Sequence, residues 1–123
     1  MRSRRADRLL VEDMLESMGR IAGYIAGMGR EEFLSDQKTI DAVVRNLEVV
    51  GEAASRLTDA ARKRRGDIEW PLVVGLRNRI VHESFGVDSE VVWEIINHNL
   101  PALTDALTSF LAQLLARTWN SWH

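Results

Sequence analysis

Apolar side chains recur every three or four residues along most of this chain, which is the spacing of one face of an α-helix. The first such pattern predicts a helix from about Arg5 to Met28, with Gly27 and Gly29 marking its end. A short connector over residues 30–34 follows. The stripe of this helix, which should face a core, consists of Leu9, Leu10, Met14, Met18, Ile21 and Ile25.

A second pattern predicts a helix that Ser35 or Asp36 caps and that runs to about Arg64. Gly51 lies within its stripe, where the absence of a side chain would let a neighbouring element approach closely. Basic residues 62–65 fall in its last turn, where they complement the helix dipole. The stripe consists of Ile40, Val43, Val44, Leu47, Val50, Ala54 and Leu57.

The second half of the chain predicts further helices. Pro71 suits the first position of a third helix that ends near Gly86, because proline lacks only an N–H that would be unpaired there. Asp88 or Ser89 then caps a fourth helix, and Pro101 should break or kink it. A fifth segment follows over residues 102–115.

These patterns together predict an all-α protein, an up-down bundle of four to five helices. Two prolines, eight glycines and little β-branched alternation agree with that class. Residues 1–123 form one domain without repeats or linkers, and residues 116–123 are expected to be a flexible tail.

Composition narrows the possible functions. The net charge is −2, from 16 basic and 18 acidic residues, which argues against a protein that coats nucleic acid through bulk positive charge. Cysteine is absent, which excludes disulfides, thiolate metal sites and a cysteine nucleophile. No membrane span or signal-type segment is evident, so a cytoplasmic location is the default expectation.

One short segment carries the candidate chemistry: Arg77, Asn78 and His82. In a helix, Asn78 and His82 would be about 40° apart on one face, whereas Arg77 would be about 140° from His82. A guanidinium fork, an amide and a group that titrates near neutrality suit an RNA phosphate. From the residues alone, a structural alternative is commoner: a buried histidine bonded to a carbonyl, with Arg77 and Arg79 paired to Glu83.

Residues 46–103 closely resemble the HEPN superfamily, and within it the HepT toxin family. The matching stretches are 46–54, 70, 75–82, 85–88, 92–93 and 100–103. The family's motif is an arginine, a polar residue, a few intervening residues, a histidine, any residue, then a tyrosine. Arg77, Asn78 and His82 match the first three positions, but Ser84 stands where the family has tyrosine. In the family, a partner enzyme attaches AMP to that tyrosine.

The resemblance implies a metal-independent endoribonuclease without a cofactor, the toxin of a type VII-like toxin–antitoxin pair. Its partners would be a second copy of itself, a minimal nucleotidyltransferase as the antitoxin, and an RNA substrate. Arg77 and His82 are then the expected catalytic residues, and Asn78 a supporting contact. The alternatives are a non-catalytic HEPN module that docks a nucleotidyltransferase or nucleotide, and a homodimeric scaffold without a ligand.

A homodimer is also suggested by the third predicted helix, whose apolar residues surround most of its circumference. Such a helix is either central in the bundle or shared with a partner. Arg79 and Glu83 are expected to form a solvated pair, and the basic residues 62–65 either steer RNA or only end a helix. Glu52 faces either the site or solvent. Structural roles are expected for His98, Trp70 and Trp93.

Overall fold

Three long helices provide most of the core, and shorter elements connect them. The computed structural model describes residues 4–120, with side chains described for residues 5–116. The elements are α1 (Arg4–Ile25), α2 (Arg30–Leu34), α3 (Gln37–Arg56), α4 (Asp59–Arg64), α5 (Trp70–Val74), α6 (Leu76–Ile80), β1 (Val81–His82), β2 (Gly86–Val87), α7 (Ser89–Glu94), a π-helical turn (Ile95–Asn99) and α8 (Leu100–Asn120). The predicted all-α class is confirmed, with one short hairpin inserted between helices.

The apolar stripes of the long helices meet in one core. Helix α1 packs against α3 and α8, and α3 also contacts α5 and α6. The most completely buried side chains of these helices are Val11, Met14 and Ile21 on α1, Val43, Leu47 and Val50 on α3, and Leu107 and Phe110 on α8. Each such side chain contributes roughly 1.5–3 kcal/mol by leaving water. Leu9, expected in the stripe of α1, is exposed instead.

The prediction for the second helix is wrong at the C-terminal end of that helix. Asp36 caps its start as expected, because its carboxylate accepts a hydrogen bond from the Thr39 N–H. However, α3 ends at Arg56, and Leu57 and Thr58 are extended before α4 begins. The cause is a contact with α1: the buried carboxylate of Asp7 accepts hydrogen bonds from the backbone N–H and the hydroxyl of Thr58.

The predicted third helix is also wrong beyond Ile80. It is divided at Gly75 into α5 and α6, and Val81 and His82 form a strand instead of continuing the helix. Val81 and Val87 pair across an antiparallel hairpin, and β-branched residues favour that conformation. The N–H of Asp88 closes the hairpin by donating to the Ile80 carbonyl over 2.7 Å.

Gly51 has the role expected from the sequence. A Cβ atom at this position would lie 3.2 Å from the carbonyl oxygen of Val73 and 3.4 Å from that of Val74. Helix α5 therefore lies directly against the backbone of α3. This approach fixes where α6, which follows immediately, stands relative to α3.

Helices α7 and α8 form one continuous helical segment rather than two separate helices. Asp88 caps α7 as expected, through a hydrogen bond from the Val91 N–H. Pro101 does not end the helix, because the π-helical turn lies directly before it. Of the expected tail, residues 116–120 belong to α8, and residues 121–123 lie outside the described residues. None of the described helices combines the length and apolar character needed to cross a bilayer.

Candidate functional site

Arg77 and Asn78 lie on α6 and are exposed. Both line an open groove of about 580 Å³ between α6, α3 and α1. The other charged residues of this groove are Asp13, Arg45, Glu48, Glu52 and Arg56. The groove therefore offers local positive charge within a surface of mixed sign, which suits a single phosphate better than a long nucleic-acid backbone.

Glu48 on α3 is the partner of the motif arginine. Its Oε2 atom lies 3.3 Å from Nε of Arg77, whose side chain is 69% exposed. The remaining guanidinium donors of Arg77 are accessible to a ligand. The sequence reasoning missed Glu48, although it lies less than one helical turn from Gly51, where α5 approaches. Glu52 lines the same groove but pairs with Arg56 at 3.1 Å.

His82 is on strand β1. The prediction that it shares one face of a helix with Asn78 is therefore wrong. The imidazole is 42% exposed, and its Nε2 atom lies 3.8 Å from Oδ2 of Asp88. This distance is too long for a hydrogen bond. His82 and Asp88 form an ion pair only when the imidazole is protonated. Asp88 was expected only as a helix cap. The structure shows that one carboxylate caps α7 and also lies beside the histidine.

The hairpin turn presents an aromatic ring next to the histidine. Phe85 stacks on His82 with 4.6 Å between ring centroids and 26° between ring planes. The residue is 64% exposed. Gly86 has a φ of 81°, a left-handed conformation that favours glycine, and it returns the chain into β2. Ser84, at the position of the family's tyrosine, is exposed in the same turn.

The predicted site residues thus form two neighbouring groups. Arg77 and Asn78 lie in the groove, whereas His82 lies on the hairpin with Asp88 and Phe85. Across residues 5–116, no hydrogen bond or ion pair joins His82 to Arg77 or Asn78. The backbone links the groups, because the Val81 N–H donates to the Arg77 carbonyl at the end of α6.

Several residues outside these groups have structural roles. The expected Arg79–Glu83 pair is absent among the described side chains, because Glu83 lies in the hairpin turn rather than one helical turn from Arg79. Arg65 is the C-cap of α4, and its side chain donates to both oxygens of Asp67 and to the Ala106 carbonyl, so it is largely removed from solvent. His98 pairs with Glu94 at 3.3 Å on the surface.

The structural roles expected for Trp70 and Trp93 are confirmed by their contacts with the core. Trp70 is buried and donates from Nε1 to the carbonyls of Arg62 and Arg65, which attaches α5 to the end of α4. Trp93 is partly buried and packs on Phe33, with ring centroids 5.2 Å apart. In the described part of the chain, no group of three or more His, Asp or Glu side chains is arranged to hold a metal ion.

Comparison with known proteins decides the family. The family model described as "Ribonuclease HepT-like" matches residues 14–110, which include most of the groove, the hairpin and α7. This chain belongs to the HepT-like ribonuclease family. The matched range covers the core of the bundle as well as Arg77 and His82, so the HepT-like resemblance extends to both the fold and the candidate site.

Curated relatives cover most of the chain. "Putative RNase MJ0127" of Methanocaldococcus jannaschii is 35% identical over 94 residues, which is 76% of this chain and 78% of that protein. "Probable ribonuclease HepT" of Thermococcus cleftensis is 31% identical, over 81% of this chain and 91% of its own length. "Putative RNase TTE0752" of Caldanaerobacter subterraneus subsp. tengcongensis is 30% identical, with 85% and 93% covered. No solved structure matches this HepT-like chain.

Proposed function

We propose that this chain is a metal-independent endoribonuclease that cleaves cellular RNA, such as tRNA or mRNA, in the cytoplasm. The observation that carries the proposal is the partly exposed imidazole of His82 beside the carboxylate of Asp88, on a hairpin that begins where the helix of Arg77 ends. Membership of the HepT-like ribonuclease family supports the same chemistry.

In the proposed reaction, the ribose 2′-hydroxyl attacks the adjacent phosphorus and the 5′-oxygen leaves. A base must take the hydroxyl proton, an acid must protonate the leaving oxygen, and positive charge must stabilise the phosphorane oxygens. His82 is the proposed base or acid, and Arg77 binds the phosphate through its exposed guanidinium. Asn78, beside Arg77 in the groove, contacts the scissile phosphate. The products carry a 2′,3′-cyclic phosphate and a 5′-hydroxyl.

The proposed active unit is a two-fold homodimer with a composite site. One imidazole does not supply a separate base and acid in one step, whereas two copies supply two histidines and two arginines. Val74 on α5 is 37% exposed and lines the groove that holds Arg77 and Asn78. A partner chain that covered this groove would remove Val74 from water.

The proposed biological role is that of a toxin in a type VII-like toxin–antitoxin pair. Its antitoxin would be a minimal nucleotidyltransferase that transfers AMP from ATP and releases pyrophosphate. Ser84 is exposed in the hairpin turn, so its hydroxyl is accessible to such an enzyme. The serine oxygen is closer to the backbone and less acidic than a phenol, so modification should be slower than in a Ser84→Tyr variant. Mass spectrometry after incubation with a minimal nucleotidyltransferase and ATP tests this.

The first experiment incubates the purified protein with total RNA in EDTA. Arg77→Ala and His82→Ala are compared with Arg79→Ala and His98→Ala, which remove the same residue types outside the proposed site. We expect cleavage with cyclic-phosphate ends by the wild type and both controls, and loss of at least about a hundredfold in both site variants. Cleavage at the wild-type rate by His82→Ala would overturn the assignment. An inactive wild type would favour the non-catalytic binding module.

A mixing experiment tests the composite site. Wild-type and His82→Ala chains are co-expressed at several ratios, so that they assemble at random. If both histidines of a dimer are needed, activity falls as the square of the wild-type fraction. A linear fall means that each histidine acts independently of the other, and sedimentation as a monomer at micromolar concentration contradicts the dimer.

A further inference from the structure

The aromatic ring beside the candidate histidine has no role in the packing of the fold. The chain has three phenylalanines, of which Phe33 and Phe110 are fully buried, whereas Phe85 is 64% exposed. Among the described side chains, its ring contacts that of His82 alone. Exposure of a single apolar side chain is common on protein surfaces, so exposure alone indicates nothing. Its placement against the imidazole of a candidate catalytic histidine is the informative observation.

The hairpin holds this ring in a defined position. The turn is closed at one end by the pairing of His82 with Gly86 and at its base by the hydrogen bond from Asp88 to Ile80. The imidazole covers one side of the ring, and the exposed remainder is accessible to a flat ligand. An aromatic ring backed in this way resembles the stacking surfaces on which proteins bind unpaired nucleobases.

We infer that Phe85 is a stacking site for an unpaired nucleobase next to the scissile phosphate. This inference rests on the proposed ribonuclease function and specifies its substrate class as single-stranded RNA or an RNA loop. In a duplex the bases stack on each other, so their faces are not available to the ring. Stacking of a base on Phe85 would also place the adjoining ribose and phosphate close to the imidazole of His82.

The charge of the protein gives stacking a particular importance. A net charge of −2 and a groove of mixed sign limit the affinity that comes from releasing counterions. Base stacking does not depend on counterion release, so it would supply affinity that persists at high salt. The contribution of Arg77 to RNA affinity should therefore fall with salt, whereas that of Phe85 should not. A salt titration separates the two.

The test measures binding of a fluorescently labelled, single-stranded 2′-O-methyl RNA, in which the attacking hydroxyl is blocked. Affinity is determined from low to high KCl for the wild type and for Phe85→Ala, Phe85→Leu, Phe85→Trp and Arg77→Ala. We expect Phe85→Ala to weaken binding roughly 5- to 150-fold at every salt concentration, with an unchanged salt slope. Phe85→Leu should behave like Phe85→Ala, and Phe85→Trp like the wild type. Arg77→Ala should instead reduce the salt slope by about one.

Two controls separate this inference from the proposed function. Sedimentation of each variant shows whether the oligomeric state has changed, and a perfectly paired duplex of the same sequence should compete poorly. If Phe85→Ala or Phe85→Leu binds like the wild type, or if weaker binding follows from loss of the dimer, the stacking site is wrong. If the wild type cleaves RNA while Phe85→Ala has an unaltered KM, only this inference fails. If the wild type neither binds nor cleaves RNA, the proposed function fails with it.

Discussion

Arg77 and Glu48 form an ion pair across α6 and α3, with 3.3 Å between Nε of the arginine and Oε2 of the glutamate. The pair is largely exposed on the arginine side, so it contributes little to stability. Its effect is on the site, because a carboxylate next to the guanidinium reduces the positive charge that an incoming phosphate meets. Phosphate and Glu48 therefore compete for the positive charge of the same guanidinium.

Glu48→Gln should tighten binding of the single-stranded 2′-O-methyl RNA about two- to fivefold at low salt, with the gain shrinking at high salt. The amide keeps the size of the side chain and removes its charge. Glu52→Gln is the matched control, because Glu52 lines the same groove but pairs with Arg56. Weaker binding by Glu48→Gln would mean that the glutamate positions Arg77 rather than competing with phosphate.

Asp88→Asn should lower kcat about two- to fivefold while leaving stability nearly unchanged. Asparagine caps a helix as well as aspartate does, so the start of α7 should be preserved. The charge beside His82 would be lost, and with it the ion pair that forms when the imidazole is protonated. RNA cleavage rates and urea denaturation measure the two effects. Asp36→Asn, which changes the cap of α3 rather than a carboxylate beside His82, is the control whose kcat should not change.

The contact between Asp7 and Thr58 should be among the most important polar contacts for stability. The Thr58 hydroxyl donates to Asp7 over 2.7 Å and accepts from the Ala61 N–H over 3.1 Å, so Thr58→Ala removes a cap and leaves a buried carboxylate oxygen without its partner. We expect a loss of about 2–4 kcal/mol in the free energy of unfolding, measured in urea. Thr58→Ser keeps the hydroxyl and should lose less than about 1 kcal/mol. Equal losses in the two variants would contradict this role.

Acid should weaken the start of α3. The hydrogen bonds from the backbone N–H and then the hydroxyl of Thr39 hold the pKa of Asp36 below its ordinary value of 3.8. A lowered pKa means that the folded state favours the ionised form, so this stabilisation is present above pH 3.8 and is lost as the pH falls through the folded-state pKa. Asp36→Asn does not titrate, and its melting temperature should fall less steeply in acid than that of the wild type.

Asp36→Asn should remove only part of the acid sensitivity of the melting temperature. The hydrogen bonds from the Arg65 guanidinium likewise hold the pKa of Asp67 below its ordinary value, so the acid sensitivity of the protein has at least two sources. Asp67→Asn should reduce that sensitivity further in an Asp36→Asn background. Parallel acid profiles for wild type and Asp36→Asn would show that the Thr39 contacts do not stabilise the charged cap.

Sequence patterns predicted what depends on local spacing. The all-α class, the caps at Asp36 and Asp88, and the close approach at Gly51 all follow from residue types at fixed positions along helices. The ends of the second and third helices were wrong, because apolar periodicity continued past the points where the chain leaves the helix. At Thr58 the deciding contact is with Asp7, which lies 51 residues away. No local pattern reveals such a contact.

The sequence named candidate site residues, but it did not predict how the structure arranges them. Arg77, Asn78 and His82 were named from one short segment, and the angle between them assumed a helix that ends at Ile80. The pairing of Val81 with Val87 and the left-handed Gly86 moved His82 onto a hairpin. Glu48 lies beside Arg77, and Asp88 lies beside His82. In each pair the two residues belong to different elements, so the fold rather than a local pattern brings them together.

The π-helical turn at Ile95–Asn99 sets the orientation of everything after it. A π turn holds one more residue than an α turn, so it offsets the faces of the following helix by about 100°. Helix α7 can therefore face α2 and α6 while α8, in the same continuous segment, turns Leu107 and Phe110 toward the core that α1 completes. Removing one residue from this turn would restore ordinary helical winding and rotate the apolar side of α8 away from α1. The turn thus rotates one part of the helical segment relative to the other, so that the two parts pack against different elements.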